Sequence, residues 1–514
     1  MKIFRMNLWS CLFLAAVVWI NNFEVDALNP GFKARITTNG LNYANSVAIE
    51  ALKTNVQKAK IPDQSGEASG FKYSISNIHV TQFNPPSSDI SLVPGKGLTW
   101  KASNAYIAIH GDFHYKKWFI SDGGSFDAKL SGVSFGLELD IDANSEGRPD
   151  IAAKGCSSSF GDVDFKFHGG MSWLYNIFRE NVANVIKDSL NGQLCKMINK
   201  EVNEDGAKKL ADIKVTTKLA KKFLLDYRLS ANPTFQSDYF ETYHKGEIYW
   251  LTNPNTECPF SAPTMPDQTD NKNMLYLWIS DYMFDSIGYA AQKHGFLVRN
   301  LTQNDLPASS RGVLNTTCSG FIPKCVGSLI PEIGQKYPHM AVELRMKSTE
   351  VPRMTVSASG VSLNATGTID MYATKPGSSD TPFLLSLGAI GMTNVNISIQ
   401  NELVYAQIKN MKIKLSVIKS AVGKISGSFL DFLVKEALNT VLIPQLNDLG
   451  KKGFPLPVTG EIKFTNTKLS FAKDTILIGT DLKYTPKTSA PIKDTSGPLK
   501  FIPNSAGIAL NNKL

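Results

Sequence analysis

The sequence predicts an α+β protein of two similar halves, each a curved antiparallel sheet wrapped against a long helix, in an elongated body. Three observations predict it. From Trp173 to Val202, the apolar residues Trp173, Leu174, Ile177, Phe178, Val182, Val185, Ile186, Leu190, Leu194, Met197, Ile198 and Val202 recur at steps of three and four, one stripe along a helix. At 1.5 Å per residue that helix is about 45 Å long, too long for one compact layer. Strict alternation appears at Phe135 to Asp142 and at Val163 to Phe167, the pattern of strands wet on one face. Finally, the order helix, strands, long helix occurs twice, on either side of a proline-rich stretch.

Taken in order, residues 1–27 read as an export signal: Lys2 and Arg5 precede the apolar run Leu8 to Ile20, and Val25-Asp26-Ala27 precedes the expected cut. That run is too short to span a bilayer, and no later segment is apolar enough, so a secreted chain without a transmembrane anchor is expected. Removing 27 of the 514 residues leaves 487, room for two to four domains. From Gly40, Leu41, Ala44, Val47, Ala48, Ala51, Leu52 and Val56 fall on one face of a first helix, stopped by Pro62. Small residues on that face leave room for something bulky, so Ala44, Val47, Ala48, Ala51 and Leu52, with Trp173 and Ile177 of the long helix, are the expected walls of an apolar pocket. The hairpin-like segment Ala105 to Phe119 holds the cluster of cation, histidine and aromatic in this half: His110, His114, Lys116, Lys117 and Trp118.

Residues 251–272 carry Pro254, Pro259, Pro263 and Pro266 without periodicity, the composition of a stiff connector between domains 28–250 and 273–486. Met274 to Leu297 then reads as strand followed by helix, and alternating strands follow. A second long amphipathic stretch carries Ile418, Val422, Ile425, Phe429, Phe432, Leu433, Leu438, Val441, Leu442 and Leu446, up to the break at Gly453 to Pro457. The tail 487–514 has no pattern beyond that of a disordered segment.

Charge is unevenly spread: 26 basic against 24 acidic residues over 28–250, and 26 against 19 over 251–514. Solvated strand and helix faces account for the late lysines, and no nucleic-acid partner is expected. Cys156, Cys195, Cys258, Cys318 and Cys325 form a sparse disulfide framework with one thiol left over, and fit no zinc spacing. Sequons at Asn300, Asn315, Asn364 and Asn396 suit a glycosylated exported chain. Gly132-Val133-Ser134-Phe135-Gly136 matches GxSxG, but a nucleophile elbow needs a helix after its turn, and a period-two strand follows here. His110 and His114 stand at a helical metal spacing on a strand. Neither a catalytic step nor a metal or other cofactor is expected, apart from bound phospholipid. A sheet wrapped around a striped helix leaves an apolar groove, and ~14 methylenes at roughly 0.8 kcal/mol each would contribute about 10 kcal/mol to filling it.

Several stretches carry a family resemblance: Asn29-Pro30-Gly31 with Gly40 to Ala44, Lys60-Ile61-Pro62-Asp63, Ser88 to Pro94, Cys156-Ser157-Ser158, Gln193-Leu194-Cys195, Ser280 to Phe284 and Lys451 to Pro457. In order and spacing, over about residues 29 to 485, the chain resembles the bactericidal/permeability-increasing protein and lipopolysaccharide-binding protein family, related to plasma lipid-transfer proteins. The resemblance implies a boomerang of two barrel-like domains joined by a central sheet, each holding a phospholipid, and a bridge between Cys156 and Cys195. It implies an innate-immune binder of lipopolysaccharide (lipid A) or of the bacterial outer-membrane surface, acting through an N-terminal tip that here includes Lys116, Lys117 and Trp118 with His110 and His114 beside them. The first alternative is a carrier of phospholipid or sterol ester between membranes or lipoprotein particles, and the second, from a different class, is a lipid esterase using Ser134. The tip departs from bactericidal members: the expected loop Gln64 to Ser69 holds no cation, so killing by charge alone is not expected.

Overall fold

A computed structural model describes residues 29–485, apart from 58–62, 69, 170–194, 197, 255, 257, 268, 319, 321–323, 376 and 458–460. Most of the long helix read over Trp173 to Val202, with Trp173 and Ile177, lies outside the described residues, as do the export signal and the tail 487–514.

The chain opens with β1 (Phe32–Thr37) and α1 (Thr38–Gln57). Gly31 explains the start: its N–H donates to Lys245 O, and a Cβ there would meet the Lys245 and Gly246 carbonyl oxygens at 2.4 and 2.7 Å. A seven-stranded antiparallel sheet follows: β2 (Gln64–Ala68), β3 (Phe71–Asn84), β4 (Ser87–Val93), β5 (Gly97–Lys117), β6 (Ile120–Ala143), β7 (Pro149–Ser159) and β8 (Val163–His168). Its order is β2-β3-β5-β6-β7, with β4 also on β5 and β8 on β6. The segment expected as a tip loop after Asp63 is in fact the edge strand β2, paired with β3. Register shifts on both long strands, between Ala102 and Ile107 and between Glu138 and Leu139, mark bulges, which bend the sheet into a half-barrel. On its inner face Phe83, Phe126, Ala128, Leu130 and Phe165 pack with Leu52 and Val56 of α1. Gly111 is required here, since a Cβ would meet the Phe126 ring at 2.7 Å.

Short strands come next: β9 (Thr216–Leu219), β10 (Phe223–Asp226), β11 (Leu229–Phe235), β12 (Tyr239–His244) and β13 (Glu247–Trp250). After the proline-rich stretch, β14 (Leu275–Ser280) leads into α2 (Asp281–Lys293), whose N-cap Ser280 accepts from Tyr282 N–H. The second half-barrel is built from β15 (Val298–Leu301), β16 (Ala341–Ser348), β17 (Arg353–Ser357), β18 (Gly360–Thr374), β19 (Phe383–Gln400), β20 (Leu403–Ile408), β21 (Lys412–Ser420) and β22 (Phe454–Pro455), eight strands in one sheet. Its long helix α3 runs through Gly427–Phe432, a π-turn at Leu433–Leu438 and Asn439–Gly450, and buries Phe429, Leu433, Leu438 and Val441. The sequence placed the start of this helix too early: Ile418 lies on β21, 60% exposed, and Ser426 caps α3. The apolar run of a strand end had merged with that of the helix.

β23 (Ile462–Ala472) and β24 (Thr475–Tyr484) close the chain. They complete the central sheet, ordered β11-β12-β1-β14-β24-β23. β1 and β14 pair antiparallel at its middle, each flowing directly into a helix and each flanked by a hairpin. The two halves are thus related by a pseudo-two-fold between those strands. One core cluster spans both, from Phe32, Leu225 and Tyr227 to Leu277, Ile476 and Ile478.

Candidate functional site

The β5–β6 hairpin ends in a two-residue turn, with Lys117 opposite Ile120. Trp118 holds φ 54, the left-handed region that bulky residues seldom occupy. This turn leaves Trp118 83% and Phe119 90% exposed, against the usual preference of large aromatics for the interior. The Lys117 ammonium lies 5.9 Å from the Trp118 ring centre. Lys116 faces Lys72 across the β3–β5 ladder, so the tip carries three cations around two open aromatic rings. Lys72 and Phe119 had no signal of their own: the first needs the strand register, the second the turn.

The predicted histidines do not sit at the turn. Counting back along β5, His114 and His110 lie two and six residues from Lys116 on the outer face, His114 Nε2 being 3.1 Å from Ser121 Oγ. Among the described residues, no group of three or more His, Cys, Asp or Glu side chains could hold a metal ion. Ser134 lies within β6 opposite Ser159 of β7; its Oγ accepts from Asn104 N–H and donates to Gly132 O, holding a bulge rather than heading a helix.

Along α1, Leu41 is buried against Leu98, Phe235 and Phe240, while Val47, Ala48, Leu52 and Val56 are half-buried and Ala44 is exposed. The inward-facing Ile75, Ile107, Ile109 and Phe113 are also half-buried, so an apolar wall of helix and sheet is left partly open. The Ala51 side chain lies outside what the structure describes. A recess of about 550 Å³ elsewhere is lined by the polar and charged residues Lys272, Asn273, Asn466, Thr467, Lys468 and Asp481 and has no aliphatic or aromatic wall for an acyl chain.

Cys156 and Cys195 are bonded, tying β7 to the start of the described helical residues that run on to Ala211. Cys318 and Cys325 are bonded as well, and Cys258 is the remaining thiol. Asn300, Asn364 and Asn396 are exposed, whereas Asn315 is half-buried. No described helix is long and apolar enough to cross a membrane.

Two half-barrels sharing one central sheet, with an aromatic and cationic hairpin at one end, define the class: a bipartite elongated barrel protein. The chain belongs to the LBP / BPI / CETP family, whose N-terminal domain matches over residues 40–204 and C-terminal domain over 217–484. It is 31% identical over 484 residues to a bactericidal permeability-increasing protein of Sebastes schlegelii, covering 92% of this chain and 99% of that protein. A human lipopolysaccharide-binding protein is 28% identical over 479 residues, covering 92% and 97%. A crystal structure of lipopolysaccharide binding protein superposes with a TM-score of 0.58 at 28% identity, covering 89% of this chain and all of that one.

Proposed function

We propose that this chain is a secreted lipid-binding protein of innate immunity that binds lipopolysaccharide, through lipid A, or a related microbial lipid at its N-terminal tip. The observation that carries this is the open pair Trp118 and Phe119, with Lys117 5.9 Å from the Trp118 ring and Lys116 and Lys72 paired on the adjoining ladder. Lipid A joins phosphates to acyl chains, and this tip joins ammonium groups to rings suited to the interface between headgroups and hydrocarbon. The half-buried wall of Val47, Ala48, Leu52, Ile107 and Phe113 supports a second contact, with phospholipid tails held against α1. No catalytic step enters this reading, and Ser134 has a structural role.

Titration of lipid A at two salt concentrations tests it. Lys116→Glu/Lys117→Glu is expected to weaken binding at least ~30-fold at low salt, since each cation near an anionic surface contributes ~1 kcal/mol. Trp118→Ala/Phe119→Ala is expected to weaken binding with little change in its salt slope. Unaltered affinity in both variants would place lipid recognition elsewhere. Absence of lipid A binding, alongside rapid movement of labelled phosphatidylcholine between vesicles, would make the chain a carrier instead.

A further inference from the structure

Four of the chain's seven histidines share one exposed face. The ladders place His79 of β3 opposite His110 of β5, His110 opposite Asp127 of β6, and His168 of β8 one pair further on, opposite Ser125. His114 lies four residues along β5 on the same side. His110 Nδ1 is 2.8 Å from Asp127 Oδ1 and His168 Nε2 is 2.8 Å from Asp127 Oδ2, while the His79 and His110 ring centres are 5.5 Å apart. Phe113, Phe126, Phe165 and Phe167 occupy the opposite, inner side of the same strands.

Charge on this outer face is closely balanced. Strand by strand it holds Glu67 on β2, Lys72 on β3, Asp112 and Lys116 on β5, Asp127 and Lys129 on β6, and Asp164 and Lys166 on β8. Asp63 joins them at the edge, accepting from Asn77 N–H, while the Asn77 side chain donates to Asp112. Four lysines thus stand among five carboxylates. Imidazole is the side chain that gains charge between pH 8 and 5. Hydrogen bonds from His110, and then from His168, hold the Asp127 carboxyl below the usual carboxylate range, so it stays ionised in mild acid.

We infer that the outer face of β3, β5, β6 and β8 is a proton-gated docking surface for an anionic lipid bilayer, neutral at rest and cationic in mild acid. The argument is charge complementarity and continuity with the tip. From His110 to Lys116 is about 20 Å of strand, so with the histidines charged the hairpin presents one cationic side from cluster to turn and can lie flat on the bilayer. This inference deepens the tip-binding reading above and rests on it for the orientation of the hairpin.

Flotation with vesicles of phosphatidylglycerol in phosphatidylcholine, at pH 7.5 and 5.5, tests it. Binding is expected to strengthen at least ~10-fold in acid, from two or more added charges near the surface, with no such gain on pure phosphatidylcholine. The variant His79→Gln/His110→Gln/His114→Gln/His168→Gln should bring the acid-to-neutral ratio to within about twofold of one. His79→Gln/His114→Gln, which keeps both partners of Asp127, should lose part of the ratio with its circular dichroism unchanged. A flat ratio in the unaltered chain, or a full ratio in both variants, overturns the inference. Lipid A binding at pH 7.5 with a flat ratio would overturn it and leave the tip reading standing, whereas acid-dependent vesicle binding without lipid A binding would do the reverse.

Discussion

At the scale of single residues, the central sheet and the helix α2 that leaves it each contain a titrating group, and the two pull stability in opposite directions. His244 is half-buried, with Nδ1 2.8 Å from Tyr227 O, Nε2 2.9 Å from Thr242 Oγ1 and the Phe32 ring edge against it. Burial pushes its pKa down to about 4 from the ordinary 6.5. The unfolded chain therefore binds the proton first, and stability present above pH 6.5 is lost as pH falls toward 4, by up to about 3 kcal/mol. Asp281, in the first turn of α2, is pushed up to about 6 by burial and by the nearby Asp285 and Asp474 carboxylates. Its contribution runs the other way, being lost as pH rises from 3.8 through 6. Urea midpoints between pH 4.5 and 7.5 separate the two. His244→Gln should reduce the acid loss, and Asp281→Asn should raise the midpoint at pH 7.5. Identical profiles for His244→Gln and the unaltered chain would show that this ring stays solvated.

At the scale of elements, Cys156–Cys195 closes a loop of 39 residues between β7 and the start of the helical residues that run to Ala211. By chain entropy such a crosslink stabilises by ~4 kcal/mol. Cys156→Ser/Cys195→Ser is expected to lower the unfolding free energy by that order, measured in denaturant, with lipid binding retained below the new midpoint. A loss under ~1 kcal/mol would mean that the reduced chain already holds helix and sheet together. Alternation made β6, β8 and the ordering of β14 and α2 legible in the sequence. The start of α3 was not, because Ile418 and Val422 continue the helical spacing by coincidence. Neither was β2, whose Gln64-Ser65-Gly66-Glu67-Ala68 has no apolar alternation and is a strand because β3 offers it an edge.

At the scale of the whole molecule, the halves are joined by more than a connector. The second part of the proline-rich stretch lies across the central sheet: Arg35, almost fully buried, bonds Glu241 at 2.7 Å and also reaches Asp267, Thr269 and Asn271, while Trp278 Nε1 donates to Pro266 O. Lys33 stands 4.0 Å over the Trp278 ring. With β1 bonded to β14 and one core drawing on both halves, the two are expected to unfold together. A chain truncated after Trp250 would leave the β14 side of β1 as an open strand edge. It is expected to aggregate or dimerise in light scattering; a stable monomer would show that the N-terminal half closes its own edge.

What the sequence determined by itself was local or periodic: the amphipathic stripe of α1, the alternating strands, the doubled order of elements, and the pairing of cation with aromatic at Lys116 to Trp118. Each follows from residues close together along the chain, where spacing alone decides the buried face. Tertiary structure decided the rest. Which strands meet at the centre, that Lys72 joins the tip, and that His79, His110, His114 and His168 share one face all depend on register between distant strands. A shift of one residue turns a side chain to the other side of a sheet, and only the closed ladders determine that register.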